Sequence, residues 1–582
     1  MNSFQQVFDR WQTNKETFSS KNAWLAAEIV LATCMVLWLY RYVQLFQQVR
    51  GLYTIHSLIE VLEAPHRTKI PHIPVLIPTR KYTLQDPWKK YKTAKSDLIA
   101  YTQATTPGYA VYSISNPQVV QKVLADVLSF GKPVESMGYK QLNVFGKQLV
   151  STQSGPEHRR HRSVVKGCFS EEVMRTVWDR SIESLDTMLS TEKVEDGGVL
   201  EHVREAMYKL TLLVIGAAGF GLKFPWSIPT TEGGSHQTNW GNGKGEAYDV
   251  VTFHEALHLV EYHLVAELLV PVWILENFPL PSVRRLGNAQ RSLRHHFKTM
   301  IATRRDALQA EQAGLGPQEK IKSPSDLLGA IVASQMDIEA EEKARGGKGT
   351  SKAGLTSEEQ MGNVWIFIFA GHETSGQTLT FTLGHLAMYP EWQEKIFQEI
   401  EEVCQGSHPT YRDMNNLPSV LACVYETLRL RDLISLNQKL ALKDTVLPYT
   451  TWDDLGQITN HTHTIKKGSH VLVDFAASGQ NPFFYRDPHR WDPSRWYGEE
   501  GNKNRSHLFN FSAGPRACIG RRFAEVEMTA ILSTLIKKVK FEPVRQKGET
   551  DEQMYDRMTQ GHEVFLLTPN SFPLKFTKRQ GA

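Results

Sequence analysis

A single cysteine, set in a glycine- and proline-containing loop directly before a helix, constrains this chain more than any other feature. Residues 511–520 read FSAGPRACIG, and the apolar pattern after Gly520 predicts a helix as far as Leu532. Cys518 then lies near the positive end of the helix dipole and beside free backbone N–H groups, and both favour a thiolate. An ordinary buried thiol in a turn is the alternative, because free cysteine is commonly buried.

The cysteine count and the charge exclude several classes of protein. The chain has five cysteines in 582 residues, an odd number at wide spacing with no CxxC pair. Neither a disulfide framework nor a structural zinc site is therefore expected. The formal net charge of +4 gives no reason to expect a nucleic-acid partner.

An apolar run near the N-terminus predicts a transmembrane anchor. Residues 23–40 read AWLAAEIVLATCMVLWLY, with a single charge at Glu28. This length is close to the roughly 20 residues that cross a bilayer, and Trp24, Trp38 and Tyr40 suit the two interfaces. Glu28 leaves a buried or interfacial helix as the alternative. The basic residues on either side do not decide the orientation of the anchor.

The remainder of the chain predicts one large body. A polar segment occupies residues 1–22, a proline-rich linker follows the anchor at 41–80, and a catalytic domain is expected over 81–582. The polar stretches 230–245 and 314–354 are expected to be surface loops. Helical periodicity dominates and strand-like pieces are short, so the predicted fold class is mainly α with a minor β component.

A polar cluster interrupts the most apolar helical segment. Residues 370–375 read AGHETS, and Glu373 beside Thr374 inside a buried helix is costly unless the pair is satisfied or used. Gly371 and Thr374 lie about one turn apart and share a face. The Thr374 hydroxyl is expected to bond back to the carbonyl of Ala370 and to distort the helix locally. Ordinary polar residues satisfied by neighbours are the alternative.

Three further patterns concern helix ends and charge pairs. Thr356 and Glu359 form a capping-box pattern that predicts the start of this apolar helix, and Pro390 opens the next one. Glu426 and Arg429, three residues apart on a predicted helix, share one face. Such pairs usually decorate a solvated surface.

The complete cysteine loop resembles the haem-binding loop of the cytochrome P450 family, F-x-x-G-x-R-x-C-x-G. The matching residues are Phe511, Gly514, Arg516, Cys518 and Gly520. The resemblance implies the P450 fold and a haem b cofactor, with Cys518 as axial thiolate and metal ligand. It places Phe511 beside that ligand and Arg516 on a haem propionate. A thiolate ligand pushes electron density toward the iron, which favours O–O cleavage.

The AGHETS segment resembles the family's A-G-x-E-T-S segment, which lies over the distal face of the haem. The resemblance implies that Gly371 leaves room for O2. It also implies that Glu373 and Thr374 relay protons to the bound oxygen, which is general acid–base catalysis.

Two more stretches resemble cofactor-binding segments of the same family. Residues 155–162, GPEHRRHR, are similar to its W-x-x-x-R helix, which implies that Arg162 reaches a haem propionate. His158 stands in place of the tryptophan, and its imidazole N–H can replace the indole N–H. Lys439 stands where many relatives have a propionate-binding arginine; lysine keeps the charge but loses the fork geometry.

A structural triad is also implied. Residues 491–496, WDPSRW, resemble the family's aromatic-x-P-x-R-aromatic segment, so Arg495 is expected to join Glu426 and Arg429 in a buried cluster that braces the haem loop. The prolines usual in the family soon after E-x-x-R are absent from residues 430–434.

The resemblance implies a monooxygenase that hydroxylates or epoxidises a lipophilic small molecule, such as a terpenoid secondary metabolite. A haem-thiolate isomerase or dehydratase is the alternative, although relatives of that kind generally lack the acid–alcohol pair seen at Glu373 and Thr374. The expected pocket walls are residues 130–145, residues 220–228, and the helix face around Trp365, Phe369 and Ala370.

Electrons must come from another protein, because no flavin or nicotinamide fingerprint occurs in the chain. The resemblance implies an NADPH-dependent flavoprotein reductase and a single-pass protein of the endoplasmic reticulum membrane, with its catalytic domain on the cytoplasmic side. Arg159 and Arg160 are expected either to belong to a basic face for that partner or to be a solvated charge run.

Overall fold

The computed structural model describes residues 20–57, 86–103, 109–194, 197–222, 226, 253–264, 270–314, 326–344, 354–563 and 566–579. The predicted linker prolines at 70–78 and the predicted loop at 230–245 lie outside these residues, as does most of the expected pocket wall at 220–228.

Helices form most of the described chain. From the N-terminus to the middle they are α1 (Ser20–Gln48), α2 (Lys89–Ala94), α3 (Pro117–Ala125), α4 (Met137–Lys140), α5 (Pro156–Val165), α6 (Glu171–Thr191), α7 (Val203–Val214), α8 (Phe253–Tyr262), α9 (Val272–Glu276) and α10 (Pro281–Gly314). The later helices are α11 (Leu327–Ala344), α12 (Ser357–Met388), α13 (Pro390–Cys404), α14 (Pro418–Leu430), α15 (Phe475–Gly479), α16 (Gly498–Ser506), α17 (Arg521–Lys538) and α18 (Asp551–Thr559).

The strands are short and form small sheets. They are β1 (Thr54–Ser57), β2 (Leu98–Gln103), β3 (Val111–Ile114), β4 (Phe130–Gly131), β5 (Val199–Leu200), β6 (Leu436–Ala441), β7 (Thr445–Trp452), β8 (Ile458–Ile465), β9 (His470–Asp474), β10 (Val539–Pro543), β11 (Gly561–Glu563), β12 (Leu567–Pro569) and β13 (Leu574–Lys578). The largest sheet has the order β1-β2-β3-β9-β6-β4; β10-β13-β5 form another, and β7-β8 and β11-β12 are hairpins. The prediction of a mainly helical fold with a minor β component is confirmed.

The N-terminal helix is longer than predicted and joins the body. Residues 25–48 are long and apolar enough to cross a membrane. The helix continues to Gln48 rather than ending at residue 40, and its last part is not a linker, because Leu45 and Val49 are buried against Leu98 and Tyr112. β1 pairs with β2 soon after this helix ends, and the predicted linker boundaries at residues 41 and 80 stay a prediction.

Helix α12 is the centre of the fold. Its N-terminus has the predicted capping box, in which the Glu359 N–H donates to Thr356 Oγ1 at 3.2 Å and the Thr356 N–H donates to Glu359 Oε2 at 2.9 Å. Most of its side chains are buried, because α7, α14, α17 and α18 pack around it. α13 begins at Pro390, as predicted. A helix enclosed on all sides holds its side chains in fixed positions, and the candidate site uses its middle turns.

Candidate active site

One cavity brings together the two strongest motifs. Its walls include Cys518 from the loop before α17, and Gly371 and Thr374 from the middle of α12. The rest of its lining is mainly apolar, with Ile215, Leu327, Ile366, Leu433, Phe475 and Met528 among the contributors. A cysteine and a polar helix segment that are far apart in sequence therefore share one enclosed, apolar space.

The cysteine loop is fixed by its backbone. The Cys518 N–H donates to the Phe511 carbonyl at 2.8 Å, which closes the loop around the turn at Gly514. Gly514 has φ +68°, and a Cβ there would lie 2.9 Å from the carbonyl oxygen of Leu124 on α3. Only glycine accepts both the left-handed backbone and this close approach. Gly514 is therefore needed to hold the loop against α3.

Opposing effects act on the Cys518 thiol. The Gly520 backbone N–H and the guanidinium groups of Arg162 and Arg521 lower its pKa, which is the effect predicted for a cysteine beside a helix N-terminus. Burial raises the pKa by more, so in the protein alone the net shift is upward. A coordinating metal ion deprotonates a thiol outright, which makes this sulfur suited to a metal ligand rather than to a free nucleophile.

The predicted charge triad is present and completely buried. Arg429 Nη2 lies 2.8 Å from Glu426 Oε1, and Arg495 Nε lies 3.2 Å from the same oxygen. Glu426 also accepts from Trp496 Nε1 at 3.1 Å and from the Asp492 N–H at 2.8 Å. Every charge has several partners, which is the arrangement that makes buried ions tolerable.

Helix α14, which carries Glu426 and Arg429, also holds the cysteine loop. Asn510 Nδ2, one residue before the loop, donates to the Leu428 carbonyl at 2.9 Å. Phe511 packs against an apolar cluster that contains Tyr425 and Trp496. The triad and the loop therefore share one support, as predicted for a structural role.

A group of basic side chains occupies one end of the cavity. Lys132, His158, Arg162 and Arg516 line it, and Lys439 on β6 lies close enough for its charge to act on Lys132. Arg516 Nη2 donates to the carbonyls of Leu149 and Val150 at 3.3 and 3.2 Å, whereas its buried Nη1 has no partner among the described residues.

These basic groups depress one another's proton affinity. Burial and the charge of Arg516 lower the pKa of Lys439 to about 8, and burial lowers that of Arg516 to about 10. Burial, followed by Arg516 and Arg162, lowers the pKa of His158 to about 4, so its ring is neutral near pH 7. Within the described chain no salt bridge pairs Lys132, Arg162 or Arg516 with a carboxylate. The donor set thus fits a ligand with two carboxylates, as haem has.

Lys132 was missed by the sequence analysis. It follows β4, and its Nζ donates to the Val150 carbonyl at 2.6 Å, beside Arg516. No motif surrounds it, and sequence offers no signal for its place in the cluster. The sequence of residues 130–145 predicts an apolar pocket wall, yet among the described residues of that stretch it is Lys132 that lines the cavity.

Arg160 does not belong to an open basic face. Its guanidinium makes two hydrogen bonds to Glu359, at 2.8 and 2.5 Å, and donates to the Gly354 carbonyl at 2.6 Å. His161 Nε2 lies 3.2 Å from the same carboxylate. Helix α5, which presents His158 and Arg162 to the cavity, is thereby locked to the first turn of α12. The expectation of a partner-facing charge run holds for Arg159 at most.

On the other wall, Thr374 has the expected geometry. Its Oγ1 donates to the Ala370 carbonyl at 2.8 Å, but α12 remains continuous through this turn, so the expected helix distortion is absent. A Cβ at Gly371 would lie 3.0 Å from Ile215 Cγ1. The small size of Gly371 thus admits the Ile215 side chain; its predicted role in leaving room for O2 stays a prediction.

Glu373 does not line the cavity and is only 9% exposed. Its Oε1 accepts from Gln377 Nε2 at 3.1 Å, and its Oε2 has no hydrogen-bond partner among the described residues. Burial raises the pKa of Glu373 to about 8. The group is therefore protonated near neutral pH and can act as a proton donor.

The face of α12 that lines the cavity is not the expected face; it is formed by the residues next in sequence to the expected aromatic ones. Ile366, Phe367 and Ala370 line the cavity, whereas Trp365 and Phe369 stack on each other in the core with ring centroids 5.2 Å apart. Of the three residues expected on this face, Ala370 is correct and the two aromatic ones are wrong.

Comparisons with known proteins agree with this geometry. The family model described as Cytochrome P450 matches residues 73–576. Cytochrome P450 monooxygenase 124 of Postia placenta is 31% identical over 81% of this chain and 84% of its own. The ganoderic acid synthetase of Ganoderma lucidum is 26% identical, over 70% and 75%, and cyclooctat-9-en-7-ol 5-monooxygenase of Streptomyces melanosporofaciens is 26% identical, over 74% and 80%.

A solved structure shares the fold. The crystal structure of the cytochrome P450DA heme domain superposes with a TM-score of 0.63 at 20% identity and covers 91% of this chain and 99% of that chain.

Proposed function

The chain belongs to the cytochrome P450 family, and on that premise we propose that it inserts one oxygen atom from O2 into a lipophilic small molecule, with terpenoid-like secondary metabolites as the substrate class. The observation that carries the proposal is that Cys518 and the Gly371–Thr374 segment line one largely apolar cavity. Relatives of this chain are named as monooxygenases, and the proposal adds the substrate class to that activity.

The residues that would hold haem b are those described above. Cys518 would supply the thiolate ligand to the iron, Phe511 would pack beside it, and Arg516, Arg162, Lys439 and His158 would bind the propionates. Lys132 joins this group. A bound haem with a thiolate ligand supplies the activation of O2, because the thiolate favours O–O cleavage. Burial of Arg516 Nη1 without a partner among the described residues supports an anionic ligand at this end.

The chain's own residues supply protons and exclude water. The Thr374 hydroxyl lies in the cavity wall, where it can accept a proton and pass one on, and Glu373 beside it holds a proton at its carboxyl group. Ile366, Leu433 and Phe475 present apolar surface, which binds a lipophilic molecule and keeps bulk water out.

The substrate class is supported by the relatives as well as by the walls. Two of them are named for ganoderic acid and for cyclooctat-9-en-7-ol, and these names are terpenoid-related. An isomerase or dehydratase needs neither O2 nor reductant, and the presence of both Glu373 and Thr374 favours the monooxygenase.

Partner and location complete the proposal. An NADPH-dependent flavoprotein reductase would supply electrons, because the sequence contains no flavin or nicotinamide fingerprint. The apolar helix over 25–48 would anchor the protein in the endoplasmic reticulum membrane, with the catalytic domain on the cytoplasmic side.

The test combines a spectrum with a product. Membranes that contain the protein and a reductase are reduced under carbon monoxide, and we expect the red-shifted Soret band of thiolate-ligated haem. The Cys518→Ser variant loses this band, whereas Cys34→Ser, which changes the exposed cysteine of α1, keeps it. Candidate terpenoids are then supplied under ¹⁸O2, and a product that carries one labelled oxygen is expected. A histidine-type band in the unaltered protein rejects Cys518 as the ligand, and an unlabelled isomer as product supports the isomerase.

A further inference from the structure

Behind Glu373 lies a second buried carboxyl group that the proposed mechanism does not use. We propose that Glu261, through water enclosed between α7, α8 and α12, resupplies Glu373 with protons from the solvent. This inference rests on the proposed function, since it extends the proton supply of the same site. Glu261 would be a positioning and proton-storing residue, because it does not line the cavity.

Unpartnered polar atoms carry the argument. Tyr208 Oη, Glu261 Oε1, Glu373 Oε2 and Gln377 Oε1 are all buried, and none has a hydrogen-bond partner in the part of the chain that the structure describes. A buried polar atom without a partner destabilises the fold, because it has lost its hydrogen bonds to water. Atoms of this kind are normally satisfied by ordered water. Four in one region therefore indicate a small group of bound water molecules.

The four side chains belong to one cluster. Gln377 Nε2 donates to Glu373 Oε1 at 3.1 Å, which places the amide beside that carboxyl. His372 Nε2 lies 3.5 Å from Glu261 Oε1, so α8 meets α12 one residue before Glu373. Burial, then the charge of Glu373 and more weakly that of Glu261, raise the pKa of Tyr208, whereas the Gln377 side chain lowers it. The Tyr208 hydroxyl therefore lies near both carboxyl groups and beside the Gln377 amide.

The cluster extends from the core toward the surface. Gln377 is fully buried at the centre of α12, whereas Glu261 lies in the last turn of α8, next to Tyr262, which is 47% exposed. The Glu261 side chain is itself 11% exposed. Glu261 is thus the end of the cluster that solvent protons reach first.

The charges of the cluster keep a proton inside it. Among the described residues no lysine or arginine forms a salt bridge with Glu261 or Glu373, and burial lowers the pKa of their neighbour His372 to about 4, so this ring is neutral. Burial and the charge of Glu373 raise the pKa of Glu261 well above its usual range. Two carboxyl groups without a cation cannot both ionise in so small a volume.

The transfer balances without another reactant. When the Thr374 hydroxyl passes its proton into the cavity, it takes one from the Glu373 carboxyl. The Glu261 carboxyl then gives one through water to Glu373, and solvent returns one to Glu261. Only O–H bonds break and form, and the net change is one proton moved from solvent into the cavity, with every relay group restored. The reductant of the monooxygenase reaction is unaffected.

The test replaces the proton-holding group but keeps its shape. Glu261→Gln is compared with the unaltered holoenzyme and with Glu255→Gln, a control on the same helix whose carboxylate pairs with Arg285 instead. For Glu261→Gln we expect product formed per NADPH to fall on the order of tenfold. This is less than the hundredfold or more contributed by a proton donor that acts directly. We also expect a larger solvent deuterium isotope effect on turnover, whereas the control changes neither quantity.

Tyr208→Phe removes a second member of the cluster, so that the inference does not depend on one variant. It is expected to change coupling and isotope effect in the same direction as Glu261→Gln. The inference is overturned if Glu261→Gln and Tyr208→Phe, each with the thiolate-type carbon monoxide band intact, keep the coupling and isotope effect of the unaltered enzyme. Loss of that band in the unaltered enzyme would instead reject the proposed function.

Discussion

Glu426 and Glu373 are two buried carboxyl groups on neighbouring helices, and their surroundings differ completely. Glu426 is fully buried on α14 and is bonded by two arginines, an indole N–H and a backbone N–H. Glu373 is 9% exposed on α12, accepts one hydrogen bond, and keeps one oxygen without a partner among the described residues.

The difference separates structure from chemistry. A buried carboxylate whose bonds are all made fixes the chain around it, because any rearrangement leaves charge uncompensated. A buried carboxyl group with few partners takes up a proton instead, and burial raises the pKa of Glu373 to about 8. The same residue type therefore braces the cysteine loop in one place and stores a proton in the other.

The largest expected effect is a loss of stability on replacing Glu426, the carboxylate with the most hydrogen bonds and ion pairs. Glu426→Ala leaves Arg429 and Arg495 buried without their anion, and we expect a loss of about 3–5 kcal/mol in the free energy of unfolding. The cysteine loop shares the support of α14, so the thiolate-type carbon monoxide band should be lost as well. Thermal unfolding and the spectrum measure both, with Glu373→Gln as the matched buried variant. An Ala variant as stable as the unaltered protein would contradict the structural role of Glu426.

A smaller effect, on turnover alone, is expected at the other site. Thr374→Ala removes the hydroxyl beside Glu373, and product per NADPH should fall roughly a hundredfold while peroxide rises, because proton delivery fails. Thr382→Ala is the control, since its hydroxyl makes the same bond to the carbonyl four residues before it, at 2.8 Å, but does not line the cavity. Equal coupling in the two variants would remove Thr374 from the relay.

The smallest expected effect is on the pH dependence of the free energy of unfolding. Because the pKa of Glu373 is about 8 when folded and about 4.3 when unfolded, its neutral form stabilises the fold fully below pH ~4.3. That contribution is lost as the pH rises to ~8. Glu373→Gln does not lose it, so relative to the unaltered protein the variant should gain about 1–2 kcal/mol between pH 6 and pH 8. Unfolding at both pH values measures this, and a difference independent of pH would show that Glu373 is ionised in the folded state.

Much of the site was predictable from the sequence, because it depends on interactions between residues that are close in sequence. The capping box of α12, the turn at Gly514, the back-bond of Thr374 and the pairing of Glu426 with Arg429 each depend on residues close in sequence. Arg495 needed the family resemblance, since nothing in its own surroundings in the sequence indicates a partner on α14.

The remainder depended on tertiary packing. Helix α12 is buried on all sides, so periodicity does not distinguish the cavity face at Ile366 from the core face at Trp365. Lys132 and Glu261 come from segments without a motif, and only the fold brings them to Arg516 and Glu373. The hydrogen bonds between Arg160 and Glu359, which are far apart in sequence, were not predictable for the same reason.

The junction between α1 and the sheet bears on how a soluble form can be prepared. Leu45 and Val49 fill part of the apolar layer beneath β2 and β3, and Tyr112 Oη donates to the Gln48 carbonyl at 3.4 Å. A deletion that removes residues 1–49 takes away both side chains and exposes an apolar groove that favours aggregation. A deletion that ends before Arg41 removes most of the apolar membrane-anchor segment but keeps Leu45 and Val49, which cover the groove.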